Sequence, residues 1–294
     1  MVMPMSKQDQ SLSRRDVVVA AAGLGVSAVA HAADGKKKTM STRQPTLFVA
    51  HGAPPLLEIP SWVNELGNWG AKLGKPKSIL MLSAHWEERP FTLGATKPVP
   101  LVYDFYGFPK HYYEQKYASP GAPELAARLK TLVNGTIDEP MRGLDHGAYV
   151  PLVAMYPGAD VPVLQASLPS LEPKELLALG KSLAPLRDEG VLIIGSGFIT
   201  HNLRTADWSN SLPTPQWAAE FDQWTAETVM KRDVDALLQY REKAPGVRIA
   251  LPTHEHFVPL IVAMGAALDD PRPVEFPIDG FWMASFTRRS VQFG

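Results

Sequence analysis

The 294-residue chain contains no cysteine. This absence excludes disulfide bonds and thiolate metal sites, so a bound metal would need histidine, aspartate or glutamate ligands. Positive charge is not in excess either, because 29 lysines and arginines stand against 30 acidic residues, for a formal net charge of −1. Without a basic excess or a basic stripe, nucleic acid is not expected as a partner.

The chain also lacks the short motifs of several enzyme classes. The sequence "HEH" (254–256) does not have the H-E-x-x-H spacing of a zinc protease helix. No G-x-S-x-G elbow indicates a serine hydrolase, and Ser196 in "GSGF" is only a weak nucleophile candidate. The glycines of "GSGF" are not followed by the further glycine of a dinucleotide loop or by the lysine of a phosphate loop. No motif therefore favours nucleotide binding or either of these hydrolase classes.

Residues 1–32 have the pattern of an export signal. The stretch "SRRDVVVAAAGLGVSAVAHA" (13–32) contains an arginine pair, an apolar run and a final A-H-A. These features are typical of a signal peptide with its cleavage site, and the arginine pair resembles a twin-arginine signal. We expect a periplasmic or exported protein, with a membrane-anchoring or frayed helix as the alternative. The apolar run is too short for a stable membrane span, so none is expected in the mature form.

After a polar, lysine-rich lead-in at residues 33–45, short apolar runs alternate with amphipathic stretches. The runs predict buried strands and the amphipathic stretches predict helices. The strand candidates are 46–52, 78–86, 160–168 and 190–197, with late strands in 273–278 and 282–293; the helix candidates are 123–133, 172–186 and 215–232. This alternation predicts one α/β domain (46–294) with a mainly parallel central sheet flanked by helices.

Histidines recur where the predicted strands end. His51 follows "LFVA", His85 follows "LMLSA", and His201 comes shortly after "LIIGSG". His146 lies in "GLDHG", and His256 belongs to "HEH" at the start of a predicted helix. Ligands of open parallel sheets bind at the carboxyl ends of the strands, so these imidazoles are expected to meet at one rim. A single histidine of this kind is more often a structural residue, but several together favour a zinc, iron, copper or nickel site.

Six separated stretches resemble, in the same order, the DODA-type (class III) extradiol aromatic ring-opening dioxygenases. They are "FVAHGAP", "LMLSAHWEE", "DFYGFPKHYYEQKYASPG", "GLDHGAYVPLVAMYP", "GSGFITHNLR" and "HEHFVPLIVAMGA". The resemblance extends from about residue 45 to residue 294 and is specific to the family rather than to a substrate. It implies an oxidoreductase that uses dioxygen to open a catechol, such as DOPA, to a semialdehyde. Its partners would then be a small-molecule catechol and dioxygen.

The resemblance also implies a function for each of the five histidines. His51, His85 and His256 correspond to the ligands of one divalent metal, iron(II) for ring cleavage or zinc as found on purification. His201 corresponds to the histidine beside the metal that acts on substrate or dioxygen, and in some members it touches the metal. His146 corresponds to a second active-site histidine.

Two features have alternative interpretations from the residues alone. Many non-haem iron oxygenases use two histidines and one carboxylate, so Glu255 competes with His256 as a ligand. Adjacent residues on a helix point about 100° apart, which favours His256 alone. An aromatic loop either covers a flat substrate or only packs internally; its rings are Tyr103, Phe105, Tyr106 and Phe108.

Two other functions use the same histidines. A zinc-dependent hydrolase would act through metal-bound water, and a non-catalytic protein would only bind the metal. The oligomeric state has no signal in the sequence.

Overall fold

A computed structural model describes residues 43–294 of the chain. The predicted signal peptide (1–32) and most of the predicted lead-in (33–45) lie outside the described residues, so export stays a prediction. Within the described part, no helix combines the length and the hydropathy that crossing a membrane requires.

Eight of the strands in residues 43–294 form one sheet, in the order β4-β3-β5-β2-β6-β1-β10-β7. The strands are β1 Thr46–Ala50, β2 Ser78–Glu87, β3 Thr92–Leu93, β4 Ile137–Asp138, β5 Val163–Leu168, β6 Val191–Gly197, β7 Val274–Ile278, β8 Phe281–Trp282, β9 Phe286–Thr287 and β10 Ser290–Phe293. The four central strands pair in parallel (β5-β2-β6-β1), whereas β10 pairs antiparallel with both β1 and β7. This confirms the predicted α/β fold with a mainly parallel sheet.

Helices cover both faces of this sheet. They are α1 Pro60–Leu73, α2 Pro123–Leu132, α3 His146–Met155, α4 Pro173–Leu183, α5 Pro185–Asp188, α6 Gln216–Met230, α7 Val234–Leu238, α8 Tyr240–Lys243, α9 Val247–Ala250 and α10 Pro259–Gly265. Along β1, Leu47 and Val49 pack with α1 and α3, while Phe48 packs with the opposite cluster that contains α4 and α10. Because both faces are covered, the central strands are apolar without alternation.

Two predicted helix boundaries were wrong, and proline explains both. The stretch 172–186 is two helices rather than one, since α4 ends at Leu183 and Pro185 begins α5. The sequence "HEH" does not start a helix, because residues 254–258 form turns and Pro259 is the first residue of α10. Proline lacks the amide hydrogen of a helix interior but suits the first helical position.

The parallel strands bring distant segments to one edge of the sheet. His51 directly follows β1, and its amide donates to the Gly197 carbonyl at the end of β6 (3.2 Å). His85 lies inside β2, which continues to Glu87. The Phe198 amide donates to the His256 carbonyl (2.9 Å), which holds the turn before α10 against the same edge. The carboxyl ends of β1, β2 and β6 therefore converge, as the strand directions predict.

Candidate active site

Three imidazole nitrogens meet at this edge of the sheet. His85 Nε2 lies 3.2 Å from His51 Nε2 and 3.2 Å from His256 Nε2. Nitrogens that bind one divalent ion at about 2.1 Å, with angles of about 90–110°, lie roughly 3.0–3.4 Å apart. The structure thus brings together the three residues predicted as ligands, at a spacing that suits one shared metal ion.

Carboxylates determine the tautomer of two of these rings. His256 Nδ1 lies 2.8 Å from a Glu255 carboxylate oxygen, and His85 Nδ1 lies 3.3 Å from Asp104. An ionised carboxylate can only accept, so the hydrogen of His256 sits on Nδ1. In His85 the negative charge of Asp104 beside Nδ1 favours the same tautomer. The Nε2 atoms of His85 and His256 therefore carry lone pairs toward the shared centre.

A serine determines the tautomer of the third ring. Ser196 Oγ lies 3.0 Å from His51 Nδ1 and donates its own hydrogen to the Gly147 carbonyl. Since that hydrogen is used, the hydroxyl accepts from His51, whose Nε2 is then also unprotonated. Three lone pairs that face one another repel unless a cation lies between them. The donor set therefore fits a bound metal ion, with the outer hydrogen bonds that metal-binding histidines commonly make.

Burial keeps the imidazoles neutral. It lowers the pKa of His85 from 6.5 to about 3, with a further contribution from nearby His146. Burial is also the main cause that lowers the pKa values of His51 and His256 well below 6.5. For His201, burial and then His146 lower the pKa to about 4. Neutral imidazole is the form that binds metal, so these rings are ready to bind it at neutral pH.

His201 lies beside the three-histidine cluster. Its ring stacks on the His256 ring, with 3.5 Å between ring centroids and 9° between planes. Its amide donates to the Ala250 carbonyl (2.9 Å), which holds the segment after β6 in place. The imidazole lines the adjoining cavity, where it can reach a bound molecule.

His146 is the first residue of α3 and is oriented by Asp104. The Asp104 Oδ1 atom accepts from His146 Nδ1 (2.8 Å) and from the His146 amide (3.1 Å), while Oδ2 lies 3.3 Å from His85 Nδ1. Burial opposes ionisation of Asp104, but the hydrogen bonds from His146 outweigh it and lower the pKa of the carboxyl to about 2. One carboxylate thus lies between a predicted metal ligand and a second histidine, whose Nδ1 carries the hydrogen.

The sequence analysis missed this supporting layer of hydrogen bonds. The contacts of Asp104 and Ser196 with the site histidines were not predicted, although both residues occur inside the motifs that carry the family resemblance. Glu255 was considered only as a rival ligand on a helix; in the structure its carboxylate binds the far nitrogen of His256. The helical argument about Glu255 was wrong because residues 254–258 form turns.

A cavity of about 560 Å³ lies beside the cluster, within the size range of small-molecule sites. All five histidines predicted for the site line it. Its other walls are mainly aromatic: Phe105, Tyr106, Phe108, Phe198, Trp208, Trp282 and Phe286. Three rings of the predicted aromatic loop therefore line the cavity, whereas Tyr103 packs aside and donates to the Gln115 carbonyl (2.7 Å).

Comparisons with known proteins show the family of the chain. Residues 26–294 match the family described as the catalytic LigB subunit of aromatic ring-opening dioxygenase. The chain belongs to this family.

Individual relatives carry related names. The chain is 38% identical over 263 residues to the 4,5-DOPA dioxygenase extradiol of Escherichia coli strain K12, covering 86% of this chain and 96% of that protein. It is 43% identical over 237 residues to the 4,5-DOPA dioxygenase extradiol of Beta vulgaris, covering 76% and 86%. The fold is similar to the crystal structure of an uncharacterized Escherichia coli K12 protein, with a TM-score of 0.72, 32% identity, and coverage of 86% and 100%.

Membership in the ring-opening dioxygenase family confirms the resemblance drawn from the motifs. The family is metal-dependent, and the three-histidine cluster offers such a ring-opening dioxygenase a place for the metal. The separate functions of the five histidines stay predictions. Of the other histidines, His111 pairs with Glu58 (2.8 Å), and His254 packs against Tyr240, so neither lines the cavity.

We expect Asp104→Asn to weaken the site, because a neutral amide removes the negative charge that now faces both His85 and His146. Loss of such an outer hydrogen bond typically costs about 10–100-fold in metal affinity or activity. Metal titration and steady-state turnover would measure the two effects separately. The matched control is Glu58→Gln, which alters an exposed carboxylate–imidazole pair outside the cavity; equal losses in the two variants would contradict the assignment.

We expect the metal-free protein to lose stability as the pH falls from about 6.5 toward 4. The folded-state pKa of His201 is lowered to about 4 from 6.5, so the unfolded chain binds more protons over this interval. Above about pH 6.5 the contribution of His201 to the free energy of unfolding is fully present. Below that pH the contribution declines, by at most about 1.4 kcal/mol per pH unit for one histidine. Urea unfolding between pH 7 and pH 4 would show a shallower decline in His201→Gln than in the wild type. The control His111→Gln, at an exposed ring, should retain the wild-type decline, and an unchanged slope in His201→Gln would refute the prediction.

Proposed function

We propose that the chain is a metal-dependent extradiol dioxygenase that opens a catechol, the substrate class to which DOPA belongs. The observation that carries this proposal is the set of three inward Nε2 atoms beside an aromatic cavity with two further histidines. His85 Nε2 lies 3.2 Å from each of the other two, and all three lie within 4.8 Å of one another. In the reaction, the carbon–carbon bond next to the diol breaks. Both atoms of dioxygen enter the product, which is a semialdehyde with a carboxylate.

The proposed ligands of the metal are His51, His85 and His256. Bound iron(II) would exchange electrons with dioxygen and make the catechol hydroxyls more acidic, whereas zinc has no redox change. The three-imidazole set also suits zinc. We therefore expect a zinc form to be purified readily and to be inactive in ring opening.

Two histidines are available for proton transfer. Burial keeps His201 neutral, so it begins as a proton acceptor, and its place against His256 puts it next to a catechol bound at the cluster. His146 is the second acceptor, since Asp104 binds its Nδ1 hydrogen and leaves Nε2 free. A positioned imidazole can take a proton from a hydroxyl and return one later, a contribution of about 10²–10⁴ in rate.

The cavity walls position the ring. Phe105 lies edge-on to His146, with 5.7 Å between ring centroids, and Phe198 and Phe286 line the cavity beside His201. A flat aromatic substrate fits such walls better than a peptide or sugar would, and the same walls keep water from the reacting atoms. This lining favours ring cleavage over a zinc hydrolase.

The direct test is anaerobic reconstitution with iron(II), followed by air and a panel of catechols that includes DOPA, caffeate and an uncharged alkylcatechol. We expect a yellow semialdehyde and matching oxygen consumption with iron and neither with zinc. Esterase or amidase activity with zinc, together with a silent iron form, would support the hydrolase instead. Silence of both forms would leave a non-catalytic metal-binding protein.

We expect His201→Ala to retain the metal but to lose about 10²–10⁴ in turnover, because it removes a proton carrier and not a ligand. His85→Ala should lose the metal itself, since one of three inward nitrogens disappears. Elemental analysis of the purified variants and oxygen uptake measure the two quantities. Equal metal loss in both variants would contradict this division.

A further inference from the structure

We propose that the site selects catechols whose ring substituent is uncharged and apolar over catechols that carry a carboxylate or an amino-acid group. The inference rests on the proposed function, because it concerns which catechol enters the same cavity. It also distinguishes this chain from the relatives named 4,5-DOPA dioxygenase, because DOPA carries an amino-acid group.

The lining of the cavity offers no cation to a charged substituent. Among the described residues that line the cavity, none is a lysine or an arginine, and Asp104 is the only acidic one. Both oxygens of Asp104 are already paired with His85 and His146. A substrate carboxylate would therefore meet no cationic side chain in the lining, and burying an unpaired charge is costly.

Two arginines close to the lining in the chain or in space do not supply a cation to the cavity either. Arg142 donates to the His85 carbonyl (3.3 Å) and to Asp145 (3.2 Å), so it lies behind the histidines rather than in the cavity. Arg204 follows the lining residue Leu203 but is exposed and is not part of the lining. A metal ion held by the three histidines would supply its charge to the diol, which lies on the other side of the ring from the substituent.

The cavity is larger than a catechol ring requires. The cavity volume is about 560 Å³, whereas a buried cavity of roughly 150 Å³ is enough to hold benzene. A catechol ring at the histidines thus leaves space for a substituent. That space is available along the remaining walls, which are mainly apolar.

Exposed apolar side chains surround the opening of the cavity, where a substituent would lie. The histidines at the bottom of the cavity are largely buried, whereas three apolar side chains of its lining are exposed at the mouth: Leu203 (62%), Trp208 (60%) and Tyr106 (92%). Phe108 and Trp208 approach each other from separate loops, with 6.4 Å between ring centroids. Exposed apolar side chains grouped at a cavity mouth are typical of a binding surface. An apolar substituent would be removed from water there, which is favourable.

The test compares dihydrocaffeate with its methyl ester, two catechols of the same ring and chain that differ in one charge. With the iron-loaded protein, we expect kcat/KM for the ester to exceed that for the acid by about tenfold or more, because only the acid buries an unpaired charge. Anaerobic titration of the zinc-loaded protein should show the same order in the dissociation constants. The binding measurement does not depend on turnover.

A pair of variants tests the cause. Leu203→Arg places a cation in the lining and should shift the acid-to-ester ratio of kcat/KM toward the acid by about tenfold. Leu212→Arg is the matched control, since Leu212 is equally exposed (64%) but does not line the cavity. It should leave the ratio at its wild-type value.

The outcomes separate the two proposals. If iron-loaded protein opens dihydrocaffeate as fast as its ester, or faster, the preference is refuted while the dioxygenase function stands. If no catechol is opened, the function fails, and equal binding of acid and ester to the zinc form would refute the preference as well. An acid-to-ester ratio that responds equally to Leu203→Arg and Leu212→Arg would also overturn the inference.

Discussion

The site depends on three imidazole Nε2 atoms held together in the interior of the protein, with His85 Nε2 3.2 Å from each of the other two. His256 and His51 turn Nε2 inward because they donate the Nδ1 hydrogen outward, to Glu255 and Ser196 respectively. In His85 the Asp104 carboxylate lies beside Nδ1 and favours the same orientation of the hydrogen. Without these acceptors the rings would be free to change tautomer or to rotate, and the lone pairs would no longer share one centre. The convergence is unfavourable by itself, and a metal ion would stabilise it.

The backbone of β6 makes this convergence possible. A Cβ atom at Gly195 or Gly197 would collide with the carbonyl groups of Pro259 or His256, so only glycine lets the turn before α10 lie against the strand. Ser196, between the two glycines, instead reaches His51 and the start of α3. The "GSG" sequence is therefore a packing and hydrogen-bonding element, consistent with its lack of a phosphate-loop pattern.

The sequence predicted the central strands well, because their apolar runs have a single physical cause. Apolar runs of strand length predicted β1, β2, β5 and β6, because strands covered on both faces must be apolar. Boundaries that depend on one proline were less well predicted, as at Pro185 and Pro259. Export by the N-terminal signal stays a prediction, since those residues lie outside the described part.

By itself the sequence determined the class of the fold, the absence of thiolate chemistry and, through its motifs, the family; it also predicted the five histidines that line the cavity. The tertiary structure decided how those histidines are used, because hydrogen bonds between residues far apart in the chain leave no periodic trace. Asp104 contacts both His85 and His146, and the apolar walls of the cavity come from segments around residues 105, 203 and 282. Such contacts arise only when the strands have brought these segments to one edge of the sheet.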